Sequence, residues 1–107
     1  TGVNAVATQA LTAATAINLN GTWGGGVSNR LTKGGAMFTF RAVGGDVFVR
    51  FGATSTTATT AGTTSNGWKI PAETEHTWWL TNATSFVDAN CASGNLEYHQ
   101  SSPNYES

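Results

Sequence analysis

The stretch MFTFRAVGGDVFVRF, residues 37–51, decides the fold. Two runs of alternating side chains flank a Gly-Gly pair, and each run carries an arginine among aromatics. Alternation at period two places successive side chains on opposite faces of an extended chain. With Gly44-Gly45 as a two-residue turn, the expected hairpin partners are Val43 with Asp46, Ala42 with Val47, Phe40 with Val49 and Phe38 with Phe51. The face carrying Phe38, Phe40, Val49 and Phe51 is apolar on both strands and reads as core, and a one-residue slip would break the match. Met37, Thr39, Arg41, Phe48 and Arg50 collect on the opposite face. Arg41 is therefore expected beside Phe48, an arrangement that suits contact with a partner.

The same period extends outward in both directions. Upstream, ATAINLN (residues 14–20) reads as a first strand with Ile17 and Leu19 on its bulky side. The glycine-rich turn GTWGGG follows, and VSNRL (residues 27–31) supplies a short second strand. Downstream, residues 52–67 contain no bulky side chain and are expected to form a flexible Thr/Ser/Gly-rich surface loop. WKI resumes a strand that Pro71 ends. In HTWWLT (residues 76–81), His76, Trp78 and Leu80 alternate with Thr77, Trp79 and Thr81. Trp78 and Leu80 are expected to point inward and Trp79 outward, and Trp68 is also expected in the core. The run SFVDANCASGNLEYHQ (residues 85–100) reads as a second hairpin about Ser93-Gly94, pairing Cys91 with Leu96, Ala89 with Tyr98 and Asp88 with His99.

No helical period occurs. Some seven to eight short strands with tight turns predict an all-β chain, an antiparallel two-sheet β-sandwich or jelly roll. At 107 residues it is one domain over 1–107. Residues 1–13 are expected as an extended arm able to add a strand to a neighbour's sheet edge, and residues 102–107 as a loose tail that Tyr105 could anchor on a neighbour.

Charge and cysteine usage narrow the function. The net charge is −1 without a basic run, so no nucleic acid partner is expected. No stretch approaches the roughly 20 apolar residues of a membrane span, and the N-terminus lacks the basic start and apolar centre of a signal peptide. Thr1 is compatible with removal of an initiator methionine, and a complete chain is expected. Only 10% of residues are charged, against roughly 25% in an average domain, so much of the polar surface is expected to be covered in use. The lone Cys91 excludes an internal disulfide and a multi-cysteine metal site, and suits a small core residue in a chain made in reducing cytoplasm.

Catalytic constellations are sparse. Asp46, Glu73, Glu75, Asp88, Glu97 and Glu106 fall mostly at turns or on polar strand faces, not as a carboxylate pair across a cleft. Asp88 opposite His99 is the one acid–imidazole pair, without a nucleophile placed beside it, and reads as a surface ion pair. His76 and His99 lack a ligand partner at metal-binding spacing. Gly24-Gly25-Gly26 leads to no helix and is not a phosphate loop. The chain is expected to be no enzyme and to need no metal, cofactor or small-molecule ligand. Four tryptophans are many for this length, and tryptophan is enriched at interface anchors. Trp23, Arg41, Phe48, Arg50 and Trp79 are the expected partner-binding residues.

The order of elements from Met37 to Ser101 resembles a family. A strand pair ending in VFVRFG, a Ser/Thr/Gly-rich loop, the strand and proline turn of WKIPAETEHTWWL and the closing GNLEYHQSS are similar to small β-sandwich virion structural proteins of tailed bacteriophages. Ala72 stands after the turn proline, where many of those proteins have glycine. The resemblance implies a virion location, a structural role as a capsid decoration or cement protein, and binding to the major capsid protein, often as a homo-oligomer. The alternative is a carbohydrate-binding module or receptor-binding tip in which Trp23 and Trp79 stack on sugar rings.

Overall fold

A computed structural model describes residues 6–12, 15–23, 27–52 and 68–105, with backbone alone at 21–23 and 27–29. It is all-β. Its strands are β1 (Ala7–Leu11), β2 (Thr15–Asn18), β3 (Gly21–Trp23), β4 (Val27–Asn29), β5 (Ala36–Val43), β6 (Val47–Gly52), β7 (Trp68–Ile70), β8 (Glu75–Leu80), β9 (Phe86–Asn90) and β10 (Gly94–Gln100). Two four-stranded antiparallel sheets stack as a sandwich. Sheet I has the order β1-β10-β5-β8 and sheet II the order β2-β9-β6-β7, while β3 and β4 form a separate ribbon. Apart from β6 and β7, which are neighbours in sheet II, consecutive sandwich strands alternate between the sheets. That is the jelly-roll order.

This topology replaces both expected hairpins with sheet-crossing corners. β5 pairs with β10 and β8, whereas β6 pairs with β9 and β7. The pairs Phe38–Phe51 and Phe40–Val49 are therefore not ladder partners; these residues face one another across the core. The Ser93-Gly94 turn likewise carries the chain from β9 in sheet II to β10 in sheet I. Asp88 lies opposite Arg50 and Ala16, and His99 opposite Thr39, so the expected Asp88–His99 pair does not form.

The inward residues are nonetheless those that alternation selects. Along β5, Ala36, Phe38, Phe40 and Ala42 are completely buried, as are Val47 and Val49 on β6. Phe40 sits at the centre of an aromatic cluster, with ring centroids 6.4 Å from Phe38, 6.0 Å from Phe51, 5.8 Å from Trp78 and 6.2 Å from Tyr98. Cys91 is a buried free thiol. The glycines serve the corners by letting them touch. A Cβ on Gly45 would stand 2.9 Å from the Ser93 carbonyl oxygen, and one on Gly94 would stand 2.8 Å from that of Val43. Gly44 also has φ +85, the left-handed region that favours glycine.

A third crossing, the Pro71–Thr74 turn between β7 and β8, is tied to the Gly44–Asp46 corner. Glu73 Oε2 accepts from the Gly44 N–H at 2.8 Å, and Asp46 Oδ1 accepts from the Ala72 N–H at 2.9 Å. These bonds bring β7 and β8 to the same side of the sandwich. The Ala72 N–H, then the Lys69 ammonium at 3.4 Å, hold the Asp46 carboxyl below its ordinary range.

Both chain ends differ from expectation. The segment expected as an extended arm for a neighbour's sheet forms, over Ala7–Leu11, the edge strand β1 of its own sheet, paired with β10. The tail expected to be loose is pinned over residues 102–105. Ser102 Oγ accepts from the Met37 N–H at 2.9 Å, the Tyr105 N–H donates to the Gly35 carbonyl at 2.8 Å, and Thr32 Oγ1 donates to the Tyr105 carbonyl at 2.6 Å. The expected flexible loop lies, beyond Gly52, outside the described residues.

Candidate interaction surface

Register assigns each side chain of sheet I to a face. The outer face is built in rows across the strands: Ala10, Asn95 and Val43; then Thr8, Glu97, Arg41 and Glu75; then His99, Thr39 and Thr77; and last Met37 and Trp79. Trp79 is 48% exposed and packs at a tilt against Tyr105, itself 48% exposed, with centroids 4.7 Å apart. Beside them runs a hydroxyl row in which Thr39 Oγ1 lies 2.9 Å from Thr77 Oγ1 and 3.1 Å from Ser101 Oγ. At the far end Arg41 meets Glu73 at 3.5 Å, with Glu75 and Glu97 on either side of it in the row. One surface thus grades from aromatic through hydroxyl to charged.

The opposite side of the sandwich is different. Phe48 and Arg50 lie on the outer face of sheet II, across from Asn90 and Asp88. Phe48 is only 8% exposed and Asp88 3%, although their register directs both away from the core. The burial is local, since Arg50, Ala16 and Lys69 on the same face are exposed.

The expected contact residues therefore divide. Arg41 and Trp79 share the open face of sheet I. Phe48 and Arg50 are a sandwich thickness away, so Arg41 does not stack beside Phe48; the corner at Gly44-Gly45 sends the two strands into different sheets. Trp23 is the last residue of β3, and its side chain lies outside the described residues.

Trp68 is the aromatic that alternation misplaced. It is 65% exposed. It sits opposite Val49 and so has inward parity, but β7 is a three-residue strand at the rim, where burial needs more than parity. Next to that rim, Trp78 is half-buried against Phe51 at 5.1 Å and carries His76 stacked at 5.4 Å. The chance that a rim tryptophan is exposed was legible only as its closeness to the featureless 52–67 segment.

Among the described residues, no group of three or more His, Cys, Asp or Glu side chains is placed to hold a metal ion. No helix there is long and apolar enough to cross a membrane. No known protein family, curated protein or solved structure matches the chain.

Proposed function

We propose that this chain is a non-catalytic structural protein that docks on a larger protein assembly through the outer face of sheet I. On the resemblance of its sequence, that assembly is a tailed-phage virion and the role that of a capsid decoration or cement protein on the major capsid protein. The carrying observation is that Trp79, Tyr105 and Arg41 reach solvent together on the outer face of sheet I, whereas on sheet II the aromatic Phe48 is buried beside an exposed Arg50. Jelly rolls are common in viral capsid and lectin domains, so the fold admits the role without assigning it. A face of four strands and four rows measures roughly 19 by 27 Å, about 500 Å². A single stable interface uses about 800 Å² per partner, so many copies on a repeating surface suit this face better than one isolated contact. Binding the assembled shell in preference to free subunits would stabilise it by mass action.

Sedimentation from the native source tests the role. Co-migration with a megadalton particle in hundreds of copies supports a shell component, and a low copy number places the chain at a neck, tail or fibre. Migration as a free small oligomer refutes docking and makes a glycan-binding screen the next step. For that second reading, Trp79 has hydroxyls and carboxylates on its own face, and the side chain of Trp23, the other expected stacking residue, lies outside the described residues. On the docking reading, Trp79→Ala and Arg41→Ala each weaken particle binding and leave the cooperative unfolding transition in place. Arg41→Ala removes only an exposed ion pair, a loss of about 0–1 kcal/mol of stability.

A further inference from the structure

Sheet I ends on one side at β8, whose sole strand neighbour among the described residues is β5. The direction of its backbone groups follows from two hydrogen bonds. The Ser101 N–H donates to the Met37 carbonyl, so the odd-numbered residues of β5 bond to β10. The Ala42 N–H donates to the Thr74 carbonyl, so the even-numbered residues of β5 bond to β8. Hydrogen-bonded pairs alternate along an antiparallel ladder. On β8 the groups of His76, Trp78 and Leu80 are therefore used, and the N–H and C=O of Glu75, Thr77 and Trp79 face outward.

Among the described residues, this edge carries little of the usual protection beyond the charge of Glu75. Sheet edges are commonly blunted by shortness, proline, bulges or lysine. The sheet II edges are short, with four residues in β2 and three in β7, and β7 carries Lys69. β8 has six residues, neither proline nor lysine, and exposed side chains at Glu75, His76, Thr77 and Trp79. β1, at the far side of sheet I, is also open but presents only Thr8 and Ala10 outward. The aromatics distinguish the two: Trp79 stands on the outer side of β8, and Trp78, His76 and the rim residue Trp68 on the inner side.

We propose that β8 pairs antiparallel with β8 of a second copy about a two-fold axis at Thr77, joining two sheets I into one eight-stranded sheet. Symmetry and backbone direction select this register. Keeping the two outer faces on one side requires partners of like parity. Centring on Thr77 then sets Thr77 against the second copy's Thr77, and Glu75 against the second copy's Trp79 at both ends. All three outward-facing residues become hydrogen-bonded pairs, each exchanging two bonds. Centring on Trp78 would leave Glu75 unpaired. In the Thr77 register His76 opposes the second copy's Trp78, extending across the seam the stack it already makes within its own strand. No like charges meet, since the two Glu75 side chains are offset by about 14 Å along the strands. A two-fold contact of this kind is self-complementary and closes at the dimer.

Cross-linking reads the register directly. Hydrogen-bonded pairs have Cα atoms about 5.5 Å apart, inside the roughly 4.4–6.8 Å window of a disulfide. Thr77→Cys is expected to give a covalent dimer under mild oxidation and Glu75→Cys to give none, with the buried Cys91 silent in both. Light scattering over roughly 10–500 μM chain, a range suited to a small edge-to-edge interface, should reach about 22 kDa, twice the 11.1 kDa chain. Thr77→Pro removes an N–H that the fold itself does not use and should return the mass to that of one chain, with the folded circular-dichroism spectrum kept. Thr8→Pro, the same change at the β1 edge, should leave the dimer intact. A wild-type mass of one chain throughout the range, a dimer that survives Thr77→Pro or is lost in Thr8→Pro, or cross-linking of Glu75→Cys equal to that of Thr77→Cys would overturn the proposal. The docking role stands apart: a monomer that still sediments with a particle ends this inference alone.

Discussion

Gly35 and Gly44 form a matched pair that tests how tightly the strand ends are built. Both have positive φ, +78 and +85, and both are replaced by alanine at the same backbone cost. An L side chain in the left-handed region costs about 1–2 kcal/mol, offset by about 0.4–1 kcal/mol from the stiffer unfolded chain. At Gly44 little else changes, because an added Cβ meets only the Gly94 Cα at 3.6 Å. Gly44→Ala should therefore cost about 0.5–1.5 kcal/mol. At Gly35 the Cβ collides with the Leu80 carbonyl oxygen and comes within 2.9 Å of both Trp79 Nε1 and Thr81 Cγ2. The Leu80 oxygen belongs to the backbone of β8 and cannot step aside as a side chain can. Overpacking of this kind adds about 1–3 kcal/mol, which brings Gly35→Ala to about 2–4 kcal/mol. In a domain of this size each kcal/mol lowers Tm by roughly 4–8 °C. The assay is equilibrium unfolding in urea, followed by tryptophan fluorescence, for both variants beside the wild type. Gly35→Ala should also loosen the Trp79–Tyr105 ring contact, because the Gly35 carbonyl accepts from the Tyr105 N–H. Equal losses for the two variants would refute the close approach of Gly35 to β8, and with it the account of how the tail is held.

Phe40→Ala should cost about 3–5 kcal/mol, since Phe40 is fully buried and touches four other rings; a loss below about 1.5 kcal/mol in the same assay would contradict its central position. Asp46 has a folded pKa depressed mainly by the Ala72 N–H and next by Lys69, so its contribution is present above the unfolded carboxylate pKa and fades as pH falls through the folded value. Tm measured from pH 7 down to about pH 2 should drop at the acid end, and Asp46→Asn should flatten part of that drop. An acid limb unchanged in Asp46→Asn would show that other carboxylates govern it.

Sequence by itself determined the fold class and most of the core, with Trp68 the exception. Alternation in residues 37–51 names the same buried side chains whether the chain folds back beside itself or crosses to a facing sheet, because parity is preserved in both. It also separated Trp78 and Leu80 from Trp79 correctly, since β8 is long enough for its alternation to register. Tertiary structure alone decided which strands are neighbours. A Gly-Gly pair serves a tight hairpin through its φ freedom and serves a corner through close approach, and here Gly45 and Gly94 let two corners lie against each other. For the candidate surface that choice is decisive. It leaves Arg41 on the open face with Trp79, carries Phe48 and Arg50 to the far side, and parts Asp88 from His99. Local pattern could not show this, because the side of a sandwich on which an outward residue emerges depends on pairing with strands distant in the chain.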